Sequence, residues 1–224
     1  MDLRVPFLDR FPGNDLSNSH IWGYDGQFFP HRELHDAIYH VCFRLNDSVP
    51  QHLIREWMLE RERMMEVLKM RGELNSADIS SLQYFFSGKI EKYIDNGYGS
   101  CIFRDERYAR IMQDIITSRK GTHYELYAWC IMPNHIHALI SLLGGNNLSK
   151  VVGAWKSYSA HVLNRQRGVK GHLWHEDFFN RIIRTADDYD RVKMYIWNNP
   201  DNAGLHKWPW RWITHNEQMM EGQR

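Results

Sequence analysis

The stretch "YAWCIMPNHIHALISLL", Tyr127–Leu143, decides the fold. Two apolar runs meet at a Pro-Asn pair. Proline cannot donate to a strand ladder and asparagine suits a turn, so the stretch reads as strand, tight connection, strand. Side chains alternate along the second strand. Ile136, Ala138 and Ile140 therefore face the core, and His135 and His137 share the opposite face. Two imidazoles so placed can approach one divalent ion. The pattern is short, however: with 13 histidines in 224 residues, chance supplies on the order of one H-x-H triplet per chain. By itself it reads as structural.

Outward from the hairpin, the chain alternates strands and helices. "AIYHVCFRL" (Ala37 to Leu45) is rich in β-branched and aromatic residues and predicts a strand before "NDSVP". Ile54, Trp57, Met58, Met65 and Leu68 recur at helical spacing over Gln51 to Met70. Leu82, Phe86, Ile90 and Tyr93 do so in a second helix stopped by Asn96-Gly97. A third helix fits Asp105 to Ser118 and precedes the hairpin. After it come a helix over "LSKVVGAWKSYSAHVLNRQ", a short strand over Phe178 to Arg184, and a last helix over "TADDYDRVKMYIWNNP". That helix opens with Thr185 three before Asp188, close to a capping box, and Pro200 is expected to stop it. The pattern predicts one α/β sandwich with a mainly antiparallel sheet and helices packed on one face, plus a helical insertion after the first strand. Residues 1–35 read as an N-terminal extension, 36–212 as one domain with 46–100 as its insertion, and 213–224 as a C-terminal tail.

Composition narrows the function. Cys42, Cys101 and Cys130 form no C-x-x-C pair, which argues against a thiolate zinc site and a disulfide framework. The N-terminal stretch carries Asp2, Arg4, Asp9 and Arg10 and has no apolar run fit for a signal peptide or membrane span. A cytoplasmic protein without a membrane partner is expected. The net charge of +1 excludes a globally basic DNA binder. Its distribution is uneven, because Lys150 to His175 holds Lys150, Lys156, Arg165, Arg167 and Lys170 with no acid, and Trp155, Tyr158 and Trp174 lie between them. Cations beside aromatic faces suit single-stranded nucleic acid; a solvated helix with core aromatics explains the same composition.

Two histidines do not complete a metal site. On the last helix, Tyr195 and Asn199 lie one turn apart, at the border of the apolar arc of Tyr189, Val192 and Ile196. An Asn199 amide oxygen is a hard ligand suited to Mg²⁺ or Mn²⁺, and Tyr195 would hold a hydroxyl near a metal-bound phosphate. From the residues alone, a space-filling aromatic is the plainer reading of Tyr195.

The string "YAWCIMPNHIHALI", followed by "WKSYSA", "HLWHEDFFNRIIR", "YDRVKMYIWNNPDNAGL" and "WPWRW", resembles the REP-associated tyrosine transposases. These are relatives of the insertion-sequence-200 single-tyrosine transposases in the HUH endonuclease superfamily. "YHVCFRLNDSVPQHL" and "DNGYGSCIFRD" fit upstream, so the resemblance runs from about Ile38 to Trp212. It implies an α+β fold with a ferredoxin-like (RRM-like) antiparallel sheet and helices on one face, a metal held by His135 and His137 with Asn199 as third ligand, and Tyr195 as the catalytic tyrosine. Asn198 is the alternative ligand, and Tyr158 and Tyr189 are alternative nucleophiles. The implied activity is metal-dependent cleavage and rejoining of single-stranded or hairpin DNA through a 5′-phosphotyrosine, by a monomer or a homodimer. Lys150, Lys156, Arg165, Arg167 and Arg184 would then contact phosphates, and Trp155 or Trp174 would stack a base.

The rival from another class is a domesticated relative that binds hairpin DNA without cutting it. A histidine-triad hydrolase would want a third histidine where Leu139 stands. ATP-driven chemistry lacks a G-x-x-x-x-G-K-[ST] loop.

Overall fold

The structure is a computed structural model, and it describes residues 20–22, 31–34, 37–72 and 76–214. Most of the expected extension and of the C-terminal tail lies outside them. Within the extension, β1 (His20–Trp22) and β2 (His31–Glu33) pair antiparallel as a small ribbon.

The main sheet has five strands: β3 (Ile38–Arg44), β4 (Tyr124–Ile131), β5 (His135–Leu142), β6 (Phe179–Ile182) and β7 (Arg211–Ile213). Their order is β6-β3-β5-β4-β7, with every neighbouring pair antiparallel. The first four strands have the ferredoxin-like arrangement. The helices are α1 (Gln51–Arg71), α2 (Ser76–Ile94), α3 (Glu106–Thr117), α4 (Leu148–Arg167) and α5 (Ala186–Asn202). Helices α1 and α2 lie between β3 and α3. Side-chain caps from Asp105, Asn147 and Thr185 start α3, α4 and α5 by accepting orphan backbone N–H groups.

Strand β3 is buried along its whole length, and β5 is buried up to its last residue. Burial of both faces in turn requires cover on both. On one face, Tyr39, Val41, Phe43, Ile136, Ala138 and Ile140 pack against α3 and α4 through Met112, Ile116, Val152 and Leu163. This is the expected one-sided helix layer. The opposite face is covered as well: Tyr189, Val192 and Ile196 of α5 meet Ile38, Ala128, Cys130 and Leu139, while Ile54 and Ile94 of α1 and α2 meet Cys42. The sheet is thus the middle layer of three. A bulge between Leu126 and Ala128 turns both Tyr127 and Ala128 toward α5.

One local expectation is corrected. Pro200 does not stop α5, which continues to Asn202. Near a helix end the ring forfeits a single backbone bond, and the buried seat of Pro200 helps to hold the last turn. The segment "WPWRW" contributes edge strand β7, paired with β4 from Ala128 to Cys130.

Candidate metal centre and nucleophile

The register of β3 against β5 builds the site. Cys42 lies opposite His137, His40 opposite Leu139, and Arg181 of β6 opposite His40. All project from the face covered by α5 and α2, as does His135. His40, His135 and His137 are buried. Burial holds all three below the ordinary imidazole value of 6.5, His137 down to about 3, so they are neutral and keep a lone pair for a ligand.

Second partners orient both rings. Asn134, in the Pro-Asn turn, donates its side-chain N–H groups to the carbonyls of Ile94 and Tyr98, at 3.0 and 2.9 Å. Its oxygen must then accept from His135 Nδ1, 2.7 Å away, which leaves His135 Nε2 without a hydrogen. His137 Nδ1 lies 3.1 Å from His40 Nε2, and His137 Nε2 faces the Asn199 amide at 3.5 Å. Such outer partners set the tautomer of metal-binding histidines in general.

Helix α5 places Tyr195 over this pair. Its ring centroid is 5.6 Å from that of His137 and 5.9 Å from that of His40. Asn199, one turn on, is buried, whereas Asn198 is exposed. Histidines, tyrosine and asparagine all belong to one chain. The other tyrosines lie elsewhere. Tyr158 is exposed on α4 in the opposite layer, and Tyr189 packs edge-on against Tyr127.

Helix α2 and the residue that follows it add two carboxyls that sequence reasoning did not single out. Glu91 is raised to about 7 by burial and then by Asp95, and it accepts a hydrogen bond from Tyr195. Asp95 is raised to about 6 by burial. Tyr195 is pushed well above the usual 10, first by burial and then by Glu91 and Asp95; a hydrogen bond from Asn199 works the other way. His40 was missed too. The available signals were "EKYID", two acids one helical turn apart beside the buried Ile94, and a lone polar residue on the Ile38, His40, Cys42 face of an apolar strand.

The residues fit a divalent ion. Ligand atoms of Asp95, His135 and His137 lie within 4.8 Å of one another. Asp95 Oδ1, His135 Nε2 and Asn199 Oδ1 are buried without a hydrogen-bond partner, as expected of atoms meant for a cation. The second grouping, His40, Glu91 and His137, is a poorer candidate, because the facing nitrogens of its two histidines bond each other.

The expected DNA-contact residues do not gather here. Lys150, Arg165 and Arg167 ride on α4, across the sheet from the histidines; Lys150 and Arg165 are exposed. The Lys156 ammonium is lowered to about 8 by burial and donates to the carbonyls of Glu176 and Asp177. Arg184 follows β6, half-buried. Base stacking by Trp155 or Trp174 is corrected. Both are buried in the α3–α4 core, Trp155 donating to Tyr124 and Trp174 to Ser159, with Trp174 stacked on Phe103 and edge-on to Phe43. Neither tryptophan leaves a face for a base.

Residues 99–199 match the family model for "Transposase IS200 like". The matched stretch includes His135, His137, Tyr195 and Asn199; His40, Glu91 and Asp95 lie outside it. Among curated proteins, the chain is similar to the REP-associated tyrosine transposase of Escherichia coli (strain K12). Identity is 26% over 107 residues, covering 46% of this chain and 62% of that protein, less than two thirds of its length. Among solved structures, a REP-associated tyrosine transposase bound to a REP hairpin is 18% identical with a TM-score of 0.48, over 82% of this chain and 80% of that one. A putative transposase from Deinococcus radiodurans R1 is 15% identical with a TM-score of 0.33, over 79% and 98%. Among the described residues, no helix is long and apolar enough to cross a membrane.

Proposed function

We propose that the protein is a metal-dependent transposase that cleaves and rejoins single-stranded DNA at hairpin-associated sites through a 5′-phosphotyrosine. The observation that carries this reading is the seating of Tyr195 against His137, on the sheet face that also presents His135. The IS200-like match over residues 99–199 and the REP association of the curated relative support it.

His135, His137 and Asn199 would hold Mg²⁺ or Mn²⁺. When bound, such an ion draws charge from a nonbridging oxygen of the scissile phosphate and offsets the charge of a tyrosinate. Tyr195 attacks in line: its oxygen bonds to phosphorus, the bond to the 3′-oxygen breaks, and that oxygen leaves as a 3′-hydroxyl after taking a proton. The hydroxyl proton of Tyr195 has a nearby acceptor in Glu91, to which it is hydrogen-bonded. Because the phosphotyrosine conserves the ester's energy, an incoming 3′-hydroxyl reverses the step and joins strands without ATP. Lys150, Arg165, Arg167 and Arg184 are the proposed phosphate contacts.

The test is an adduct assay with hairpin-bearing single-stranded oligonucleotides and Mn²⁺. The wild type should give a covalent protein–DNA band on denaturing gels, and Tyr195→Phe should lose the band while still binding the oligonucleotide. An undiminished band from Tyr195→Phe removes Tyr195 from the role. Tight binding with no band and no cleavage by the wild type means a DNA-binding protein instead.

A further inference from the structure

Two neutral imidazoles and an amide bring no charge to a divalent cation, and a buried dication without an anionic partner is costly. The structure holds a candidate for that charge. Asp95 directly follows the last residue of α2, and its Oδ1 lies 3.4 Å from His135 Nε2. The two atoms make no hydrogen bond, with each other or with anything else. The reason follows from Asn134: its N–H groups go to α2 and the adjoining turn, so its oxygen takes the hydrogen of His135 Nδ1, and Nε2 presents a lone pair. A carboxylate oxygen and an imidazole lone pair thus face each other. They repel unless a proton or a cation lies between them.

The position of Asp95 is unfavourable on other grounds too. A carboxylate at the C-terminal end of a helix meets the negative end of its dipole. Asn134 nevertheless ties that end, through the Ile94 carbonyl, to the same turn that orients His135. Asn199 Oδ1 is a third buried atom with no partner, and Nδ2 of the same amide lies 3.5 Å from His137 Nε2.

We infer that Asp95 is a ligand of the divalent metal, alongside His135, His137 and Asn199, so that the inserted pair α1–α2 forms part of the metal centre. This rests on the reading that His135 and His137 hold a metal. Asp95 lies outside the stretch that matches the transposase family model, so the ligand belongs to the insertion.

Isothermal titration calorimetry with Mn²⁺ on the full chain, without DNA, tests it. Asp95→Ala should weaken Mn²⁺ binding at least about tenfold, and His135→Ala and His137→Ala should abolish it. Without metal, Asp95→Ala should melt no lower than the wild type, because it removes an unpartnered carboxylate. In the wild type, Mn²⁺ should slow hydrogen exchange in the last turn of α2, and in Asp95→Ala it should not. Should the alanine variant fail to fold, Asp95→Asn keeps the shape without the charge, and a dissociation constant equal to wild type overturns the inference. Unchanged binding in Asp95→Ala with loss in both histidine variants removes Asp95 and leaves the centre standing. Binding unchanged in all three variants, or absent from the wild type, overturns the metal centre itself.

Discussion

Replacing Glu91 with glutamine should make the metal-free protein more stable, and by more at high pH than at low. The Glu91 carboxyl lies against Tyr195, one turn from Asp95, and burial followed by Asp95 raises it from 4.5 to about 7. A raised folded value means that the native state holds the proton more tightly than the unfolded chain does. Its contribution to stability is therefore complete below pH 4.5 and is lost as pH climbs through 7. Between pH 5 and pH 8.5 the shift is worth about 2.5 kcal/mol, and screening at the half-buried carboxyl trims this to about 2 kcal/mol. Glutamine cannot titrate. Lost packing and hydrogen bonds affect the variant similarly at both pH values, so the difference between wild type and Glu91→Gln at pH 8.5, less the same difference at pH 5, isolates the carboxyl. Urea denaturation with chelator at the two pH values measures it. A double difference below about 0.5 kcal/mol would refute the argument that this carboxyl is desolvated against Asp95.

His40→Leu removes the group that bonds His137 Nδ1, and Mn²⁺ affinity should fall about 10- to 100-fold by calorimetry; equal affinity denies His40 that part. Trp174→Ala should cost about 3–5 kcal/mol in urea melts, because its ring packs on Phe43 and Phe103. A loss under about 1 kcal/mol together with weakened DNA binding would return Trp174 to a surface role. Replacing Lys150 and Arg165 together should reduce the slope of log affinity against log salt by about 1.4 for single-stranded DNA. An unchanged slope in filter binding would exclude α4 from the interface and turn attention to the layer that carries the histidines.

How far the fold could be read in advance depended on whether a pattern spans one element or two. The hairpin at Pro133-Asn134 needed only local facts: a missing donor, a turn residue and a two-residue period. The observed register agrees, with Ile136, Ala138 and Ile140 in the α3–α4 core. The cover over the other face did not follow from β5, because alternation says that two histidines leave one core without saying what they enter. The burial of His135 and His137 shows that they enter a second interior. Tyr189, Val192 and Ile196 correctly marked the inner side of α5, but nothing local says which face of the sheet that side meets. Strand β7 was hidden for a similar reason: three residues at an edge have too short a period to read, and their partner Cys130 is more than eighty positions away. The tryptophans misled because composition does not distinguish a ring in solvent from one under a sheet.

The site divides along the same line. Tyr195 and Asn199 could be paired because four residues on a helix is one turn, and His135 and His137 because two on a strand is one face. Asp95 meets His135 across forty positions and through no shared period, and each looks ordinary in its own neighbourhood: an acid near a helix end, a histidine after a turn. Only the tie from Asn134 to both His135 and the end of α2 makes the approach specific. That tie also assigns mechanical consequence to the α1–α2 insertion. If Asp95 holds the metal, a change that loosens α2, such as Asn134→Ala with its loss of two donated bonds to Ile94 and Tyr98, should weaken Mn²⁺ binding without touching any ligand atom.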